Sequence, residues 1–165
     1  MFDFRRGLRD LIIELNRAVI TSFQLEKYLT GIFMVYHTTK RRLTIADLGH
    51  SHLMIFRQQR AISVKSPSTN LPIGIDPELN PLLYSCTLEP GDRVLIFSDG
   101  ITEQENPAGE EFGEARLKSA ILDCMAKALD ITLALPELLN QYRESTPQQD
   151  DMSFIFLGLD EKPRD

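Results

Sequence analysis

Residues 90–103 constrain the fold more than any other part of this sequence, because a turn, a strand and a candidate ligand follow one another directly. Residues 90–92 (Pro-Gly-Asp) form a turn signal, and residues 94–97 (Val-Leu-Ile-Phe) are β-branched and aromatic, as a buried strand requires. The strand leads into Asp99, which is followed at once by Gly100. A carboxylate beside a residue without a side chain can face a metal ion or a phosphate without obstruction. Asp-Gly is also a common turn dipeptide, so the interpretation depends on other residues.

Composition and charge narrow the class of protein. The chain has 165 residues, of which 42% are hydrophobic and 25% charged, as in an ordinary globular domain with a sizeable core. Its net charge of −6 argues against nucleic acid as a partner. The N-terminus lacks the apolar block of a signal peptide, and no run reaches the roughly 18 apolar residues of a membrane span. Cys86 and Cys124 imply no disulfide framework, so we expect a soluble, cytoplasmic protein that contacts no membrane.

Hydrophobic periodicity predicts an α+β fold with antiparallel strands. The predicted helices cover residues 3–22, 113–129 and 136–143, with Pro136 in the first turn of the third. The predicted strands cover residues 29–37, 43–48, 52–57, 61–65, 82–88, 93–98 and 152–159. We expect the first four strands to form a meander and the next two to form a hairpin across residues 89–92. A Rossmann fold is excluded because no glycine-rich turn joins a strand to a helix.

Six short motifs carry a family resemblance. They lie at residues 48–52, 71–74, 90–92, 98–103, 106–113 and 149–153. In this order they resemble the C-terminal half of the metal-dependent protein serine/threonine phosphatases of type 2C, in the bacterial branch named for stage II sporulation protein E. The resemblance covers the chain to about residue 159 and is strong because the motifs occur jointly and in order.

The resemblance implies a β-sandwich flanked by helices, with two Mg²⁺ or Mn²⁺ ions at one end. Hard divalent cations prefer carboxylate and water oxygens, and such a pair activates a water molecule that attacks the phosphorus. Asp99 matches the family's strand-end metal aspartate, and Asp150 matches the aspartate before the last strand. Asp151 is the alternative in the second role, because the doublet leaves the register open by one residue. Without the resemblance, the doublet would be interpreted as a solvated turn or as charges that protect a hydrophobic strand.

The remaining titratable residues are expected to be structural. Glu103 is assigned to a loop. His37, His50 and His52 have no carboxylate or cysteine at ligand spacing, so no zinc site is predicted, and His50 is assigned to a Gly-His turn.

The sequence departs from the family in its metal ligands. The family's Gly-Asp-x-Tyr-Asp and Gly-Asp-Val-Ser-Gly patterns do not occur, and Asp3 and Asp10, in helical context, cannot replace them. Two carboxylates cannot hold two divalent ions against hydration. We therefore expect residues 1–165 to be one domain without its N-terminal strands, part of a longer phosphatase, with weak metal binding and impaired turnover. Alone, it is expected to pair its bare sheet edge with a second copy.

By resemblance, the substrate is phosphoserine or phosphothreonine on a signalling protein such as an anti-sigma-factor antagonist. An upstream sensor or receiver domain is expected in the longer protein. The alternative is a catalytically inactive, phosphatase-like module for interaction or dimerisation. A generic β-rich ligand-binding domain would explain the composition but not the ordered motifs.

Overall fold

The computed structural model describes residues 7–58, 60–62 and 70–159. Its elements in chain order are α1 (Leu8–Phe23), β1 (Gly31–His37), β2 (Arg42–Leu48), β3 (Leu53–Arg57), β4 (Arg60–Ile62), β5 (Tyr84–Thr87), β6 (Arg93–Phe97), α2 (Asp99–Thr102), α3 (Gly113–Ala126), α4 (Ile131–Arg143) and β7 (Phe154–Gly158). They fall into two compact units. The first comprises Met1–Ser51 and Val64–Leu88, and the second comprises His52–Ser63 and Glu89–Asp165.

The first unit combines α1 with an antiparallel sheet in the order β1-β2-β5. The apolar stripe of α1 is buried against sheet and loop residues in a cluster of Ile12, Val19, Ala46, Leu48, Ile73 and Leu79. Asn16 is buried within this helix, and its amide accepts a hydrogen bond from Gly74 N and donates one to Asp76 O. These bonds satisfy the buried Asn16 amide and hold the loop at residues 74–76 against α1.

The second unit contains an antiparallel sheet in the order β4-β3-β6-β7, together with α2, α3 and α4. One face of this sheet and the helices form a core of Phe56, Leu95, Phe97, Ile101, Phe112, Leu117, Ile121, Cys124, Ile131, Leu135 and Leu139. In β7 the residues alternate: Phe154 and Phe156 pack against this core, whereas Ile155 and Leu157 remain exposed. The expected combination of helices with antiparallel sheets is confirmed, and β7 forms one edge of its sheet.

The predicted strand connections are wrong in two places. β1 pairs with β2 and β3 with β4, but β2 continues to β5 and β3 to β6, so no four-stranded meander forms. Likewise β5 and β6 belong to different sheets and form no hairpin. The predicted turn between them is nevertheless present. It is of type II, because Asp92 N donates to Glu89 O at 3.0 Å and Gly91 has a φ of 88°.

A buried ion pair places this turn beside β3. Asp92 is 1% exposed and accepts two hydrogen bonds from the Arg57 guanidinium, at 2.9 and 2.7 Å. Glu89 accepts a third from Arg57 at 2.6 Å. This bidentate arrangement is the strong form of an arginine–carboxylate contact. It joins the turn to the end of β3, the strand with which β6 pairs.

The third helix begins five residues earlier than predicted. Asp130 is the N-cap of α4 and accepts a hydrogen bond from Thr132 N at 2.9 Å, so Pro136 lies inside the helix rather than in its first turn. The hydrogen bonds from the side chain and backbone of Thr132 lower the pKa of the Asp130 carboxyl. The cap starts the helix because it satisfies an N–H that would otherwise lack a partner.

Two sequence expectations fall partly on residues outside the described part: the start of the first predicted helix (residues 3–6) and the end of the fourth predicted strand (residues 63–65). Within the described residues, no helix has both the length and the apolar character needed to cross a bilayer.

Candidate metal centre

The candidate site lies where β6 ends and β7 begins, within the second unit. Phe97 pairs with Phe154 in the antiparallel ladder, and Ser98 N donates to Ser153 O at 2.9 Å, which extends the pairing by one residue. The next residue, Asp99, starts α2, and its side chain is exposed. Its Oδ1 accepts a hydrogen bond from Gly100 N at 3.0 Å. The strand end predicted from the sequence therefore presents the Asp99 carboxylate to solvent.

The Asp150–Asp151 backbone lies directly against Gly100. A Cβ atom at Gly100 would lie 2.7 Å from Asp151 O and 3.3 Å from Asp150 C, distances that leave no room for a side chain. Ser98 Oγ donates to Asp151 O at 2.9 Å and accepts from Ser153 N at 2.9 Å. The structure thus brings the doublet next to the residue that follows Asp99, although these positions are about 50 residues apart in sequence.

The side chains at this junction suit part of a hard-cation site. Asp99, Asp150 and Asp151 are all exposed, and carboxylate oxygens are the ligands that Mg²⁺ and Mn²⁺ prefer. One oxygen of Asp150 accepts a hydrogen bond from Asp151 N at 2.6 Å. Across the described residues, however, no group of three or more His, Cys, Asp or Glu side chains is placed to hold a metal ion. The chemistry of the donors fits, the set is incomplete, and the ligand roles of all three aspartates stay predictions.

Other acidic residues near the motifs have structural contacts. Glu103 is the C-cap of α2, with its N–H bonded to Asp99 O at 2.9 Å. Asp47, which the sequence analysis missed, is buried and accepts hydrogen bonds from His50 N at 2.9 Å and Ser51 N at 3.1 Å. It therefore stabilises the Gly-His turn through backbone N–H groups, and the structural assignment of the His50 side chain stays a prediction. An aspartate two residues before a Gly-His pair was the available sequence signal.

Neither cysteine is a candidate nucleophile at this junction. Cys124 is buried in α3, and burial is the main cause that raises the pKa of its thiol. Cys86 lies in β5, in the first unit.

Comparison with known families identifies the chain. The family model described as stage II sporulation protein E (SpoIIE) matches residues 3–160. The chain belongs to the SpoIIE family. Over 128 residues it is 23% identical to Protein IcfG of Synechocystis sp. (strain ATCC 27184 / PCC 6803 / Kazusa), covering 78% of the chain and 20% of that protein. Over 89 residues it is 28% identical to phosphoserine phosphatase RsbU of Bacillus subtilis (strain 168), covering 54% of the chain and 27% of RsbU. The SpoIIE-family chain thus matches only 20% and 27% of the lengths of these relatives.

Solved structures show the same fold. The phosphatase domain of the cell fate determinant SpoIIE from Bacillus subtilis matches with a TM-score of 0.61 and 19% identity, covering 95% of this chain and 74% of that one. The SiaA-PP2C domain of Pseudomonas aeruginosa matches with a TM-score of 0.72 and 19% identity, covering 92% and 61%. The Bacillus domain has also been solved in a form presoaked with Mn. The helices and antiparallel sheets of this SpoIIE-family chain are therefore those of a type 2C phosphatase domain.

Proposed function

We propose that this chain forms most of a Mn²⁺- or Mg²⁺-dependent phosphatase domain that hydrolyses phosphoserine or phosphothreonine on a signalling protein. The observation that supports this most directly is the contact of the Asp150–Asp151 backbone with Gly100, beside Asp99. That contact brings the backbones of two distant motifs together at one end of a sheet, which supports a shared role for the aspartates they carry. An anti-sigma-factor antagonist is the class of substrate we favour, and the cytoplasm is the compartment, which suits a protein whose cysteines are both thiols.

In this proposal Asp99 and Asp150, with Asp151 as the alternative, hold the cations. Bound divalent cations supply the positive charge that activates water and neutralises phosphoryl oxygens. The chain contributes exposed carboxylates at a rigid junction, where Gly100 lacks a Cβ and Ser98 fixes the carbonyl of Asp151. No side-chain nucleophile is required.

We further propose that the remaining ligands come from a segment outside these 165 residues. The chain covers only 74% and 61% of the two solved phosphatase domains, and its described residues contain no complete ligand group. In the longer protein, the domain would then be N-terminally extended and controlled by a sensor or receiver domain. On its own, the chain would bind metal weakly.

The experiment compares Asp99→Asn and Asp150→Asn with Asp123→Asn, an exposed aspartate in α3 that serves as the matched control. Translation of the DNA upstream of Met1 shows whether the two missing aspartate motifs exist. The three variants are made in the protein that includes these motifs, and each is assayed with an aryl phosphate and Mn²⁺. Loss of charge stabilisation worth several kcal/mol predicts a decrease in kcat/KM of about 100-fold or more for the two site variants. Unchanged activity in Asp99→Asn would overturn the metal role.

A second candidate function, an inactive module for dimerisation, is favoured by the edge strand β7. Among the described strands β7 pairs with β6 alone, and it exposes Ile155 (55%) and Leu157 (45%) without a charge or a proline. Such an edge is a template for a further strand, and uncharged residues allow antiparallel pairing with a second copy. Light scattering should show a dimer that Ile155→Lys converts to a monomer. A monomeric wild-type chain would exclude this candidate.

A further inference from the structure

Gln104 is a buried polar side chain two residues after the end of α2. It is 1% exposed, and its backbone carbonyl accepts a hydrogen bond from the N–H of Phe112, which is itself buried in the core. Its side-chain Nε2 donates to Glu105 O at 2.9 Å and to Pro147 O at 3.3 Å. Oε1 is buried without a hydrogen-bond partner. Burial of an incompletely satisfied amide is unfavourable, so this position calls for an explanation.

The bond to Pro147 lies at the start of the segment that carries the aspartate doublet. At the other end of this segment, the Ser98 hydroxyl donates to Asp151 O at 2.9 Å. Between the two, Gln149 Nε2 donates to Glu105 Oε2 at 3.1 Å. Residues 147–151 are therefore attached at both ends and in the middle to residues 98–105, the same short segment that contains Asp99.

We propose that Gln104 is a positioning residue that holds residues 147–151 against the β6–α2 junction, so that the backbone of Asp150 and Asp151 stays against Gly100, next to Asp99, before any cation binds. The role in metal binding rests on the proposed function, whereas the hydrogen bonds that hold residues 147–151 do not. The backbone of Gln104 is bonded to Phe112 in the core, and its side chain is bonded to Pro147. Gln104 therefore links the exposed loop at residues 147–151 to the core. A metal site whose ligands are already in place loses less conformational entropy when the ion binds.

The test uses Gln104→Met, which keeps the length of the side chain but removes its donor. Gln141→Met is the control, since Gln141 is an exposed glutamine on α4 whose amide bonds only Glu137. In the metal-free chain we expect amide hydrogen exchange in residues 148–151 to increase about tenfold in Gln104→Met, with α3 and β6 unchanged. Mn²⁺ affinity, measured from free Mn²⁺ by electron paramagnetic resonance, should fall 10- to 100-fold, as for other groups that orient metal ligands.

Amide exchange and Mn²⁺ affinity together distinguish a failure of the proposed function from a failure of the positioning role of Gln104. Mn²⁺ binding is therefore measured in the protein that includes the upstream segment. If it is absent there, or unaffected by Asp99→Asn, the proposed function fails, while the exchange rates of the metal-free chain still decide the role of Gln104. If exchange and affinity in Gln104→Met both equal those of the control, the positioning role is overturned. A uniform rise in exchange over the whole second unit would also overturn it, because that result indicates a contribution to global stability alone.

A measurement on the wild-type chain covers the case in which Gln104→Met does not fold. The side-chain amide protons of Gln104 should exchange at least about 100-fold more slowly than those of Gln141, because they are buried and bonded to two carbonyls. Equal exchange rates for the two side chains would contradict the proposal.

Discussion

Replacement of Gly100 by alanine tests the packing on which the candidate metal centre depends. An alanine Cβ would lie 2.7 Å from Asp151 O, so the carbonyl must move by about 0.7 Å to reach an ordinary contact of 3.4 Å. The neighbouring atoms belong to the backbone, and Ser98 Oγ already holds the same carbonyl at 2.9 Å. The overlap therefore cannot be relieved by rotating a flexible side chain.

Two effects of opposite sign determine the magnitude. Gly100 lies in α2, where alanine is ordinarily more favourable than glycine by about 0.5–1 kcal/mol. Overpacking against a fixed neighbour typically costs about 1–3 kcal/mol. We expect the overlap to dominate and the free energy of unfolding to fall by about 1–2 kcal/mol, which corresponds to a shift of roughly 0.5–1 M in the urea midpoint.

Urea denaturation followed by circular dichroism measures this change, and Gly31→Ala is the matched control. Gly31 lies in β1, and the nearest atom to its added Cβ is Phe33 Cε2 at 3.8 Å, an ordinary contact. The control should be as stable as the wild type or slightly more so. A Gly100→Ala chain with wild-type stability and unchanged amide exchange at residues 150–153 would refute the close-packing argument.

Two further predictions concern stability. Arg57→Met should lower the free energy of unfolding by about 3 kcal/mol in urea titrations, because it leaves the buried Asp92 carboxylate without its cation. Adding Asp92→Leu should restore most of this loss, and a single-variant effect below about 1 kcal/mol would contradict the assignment. The pKa of Asp130 is lowered in the folded state, so its cap fully stabilises α4 above the unfolded-state pKa. This stabilisation is lost as pH falls through the folded-state pKa, and helicity should therefore decrease below about pH 4. Asp130→Asn caps without titrating, so circular dichroism should show a smaller acid-side decrease, and equal decreases would argue against the cap.

The sequence predicts most of the longer helices and strands but not the short helix α2, the start of α4 or the pairing of the strands. β6 and α3 were predictable because an apolar run and a helical stripe are local patterns. β2 and β3 belong to different sheets, and the short turn between them gives no sign of this in the sequence. The buried Asp47, which caps that turn, cannot be distinguished from an exposed aspartate in a single sequence. Pro136 was placed in a first turn because proline favours that position, but the Asp130 cap determined where α4 begins.

In the candidate site, too, the sequence reveals the candidate residues but not the contacts between distant segments. Asp99 and the doublet are assigned through the family resemblance, since Asp-Gly and Asp-Asp alone are equally typical of solvated turns, and their ligand roles stay predictions. The contacts that bring them together escaped notice, since Ser98, Gly100 and Gln104 act on backbone atoms of residues more than 40 positions away. A hydroxyl, a missing Cβ and an amide have no distinctive pattern in the sequence, so their role becomes visible only in three dimensions.

The way residues 150 and 151 are held has a consequence for engineering. Ser98 and Gly100 contact main-chain atoms of the doublet, so these contacts do not require an aspartate at position 151. The Asp150 carboxylate itself accepts a hydrogen bond from Asp151 N, so a replacement at position 150 must keep an acceptor, as asparagine does. In the proposed metal centre, the preference between hard and borderline metals can therefore be redesigned first at position 151.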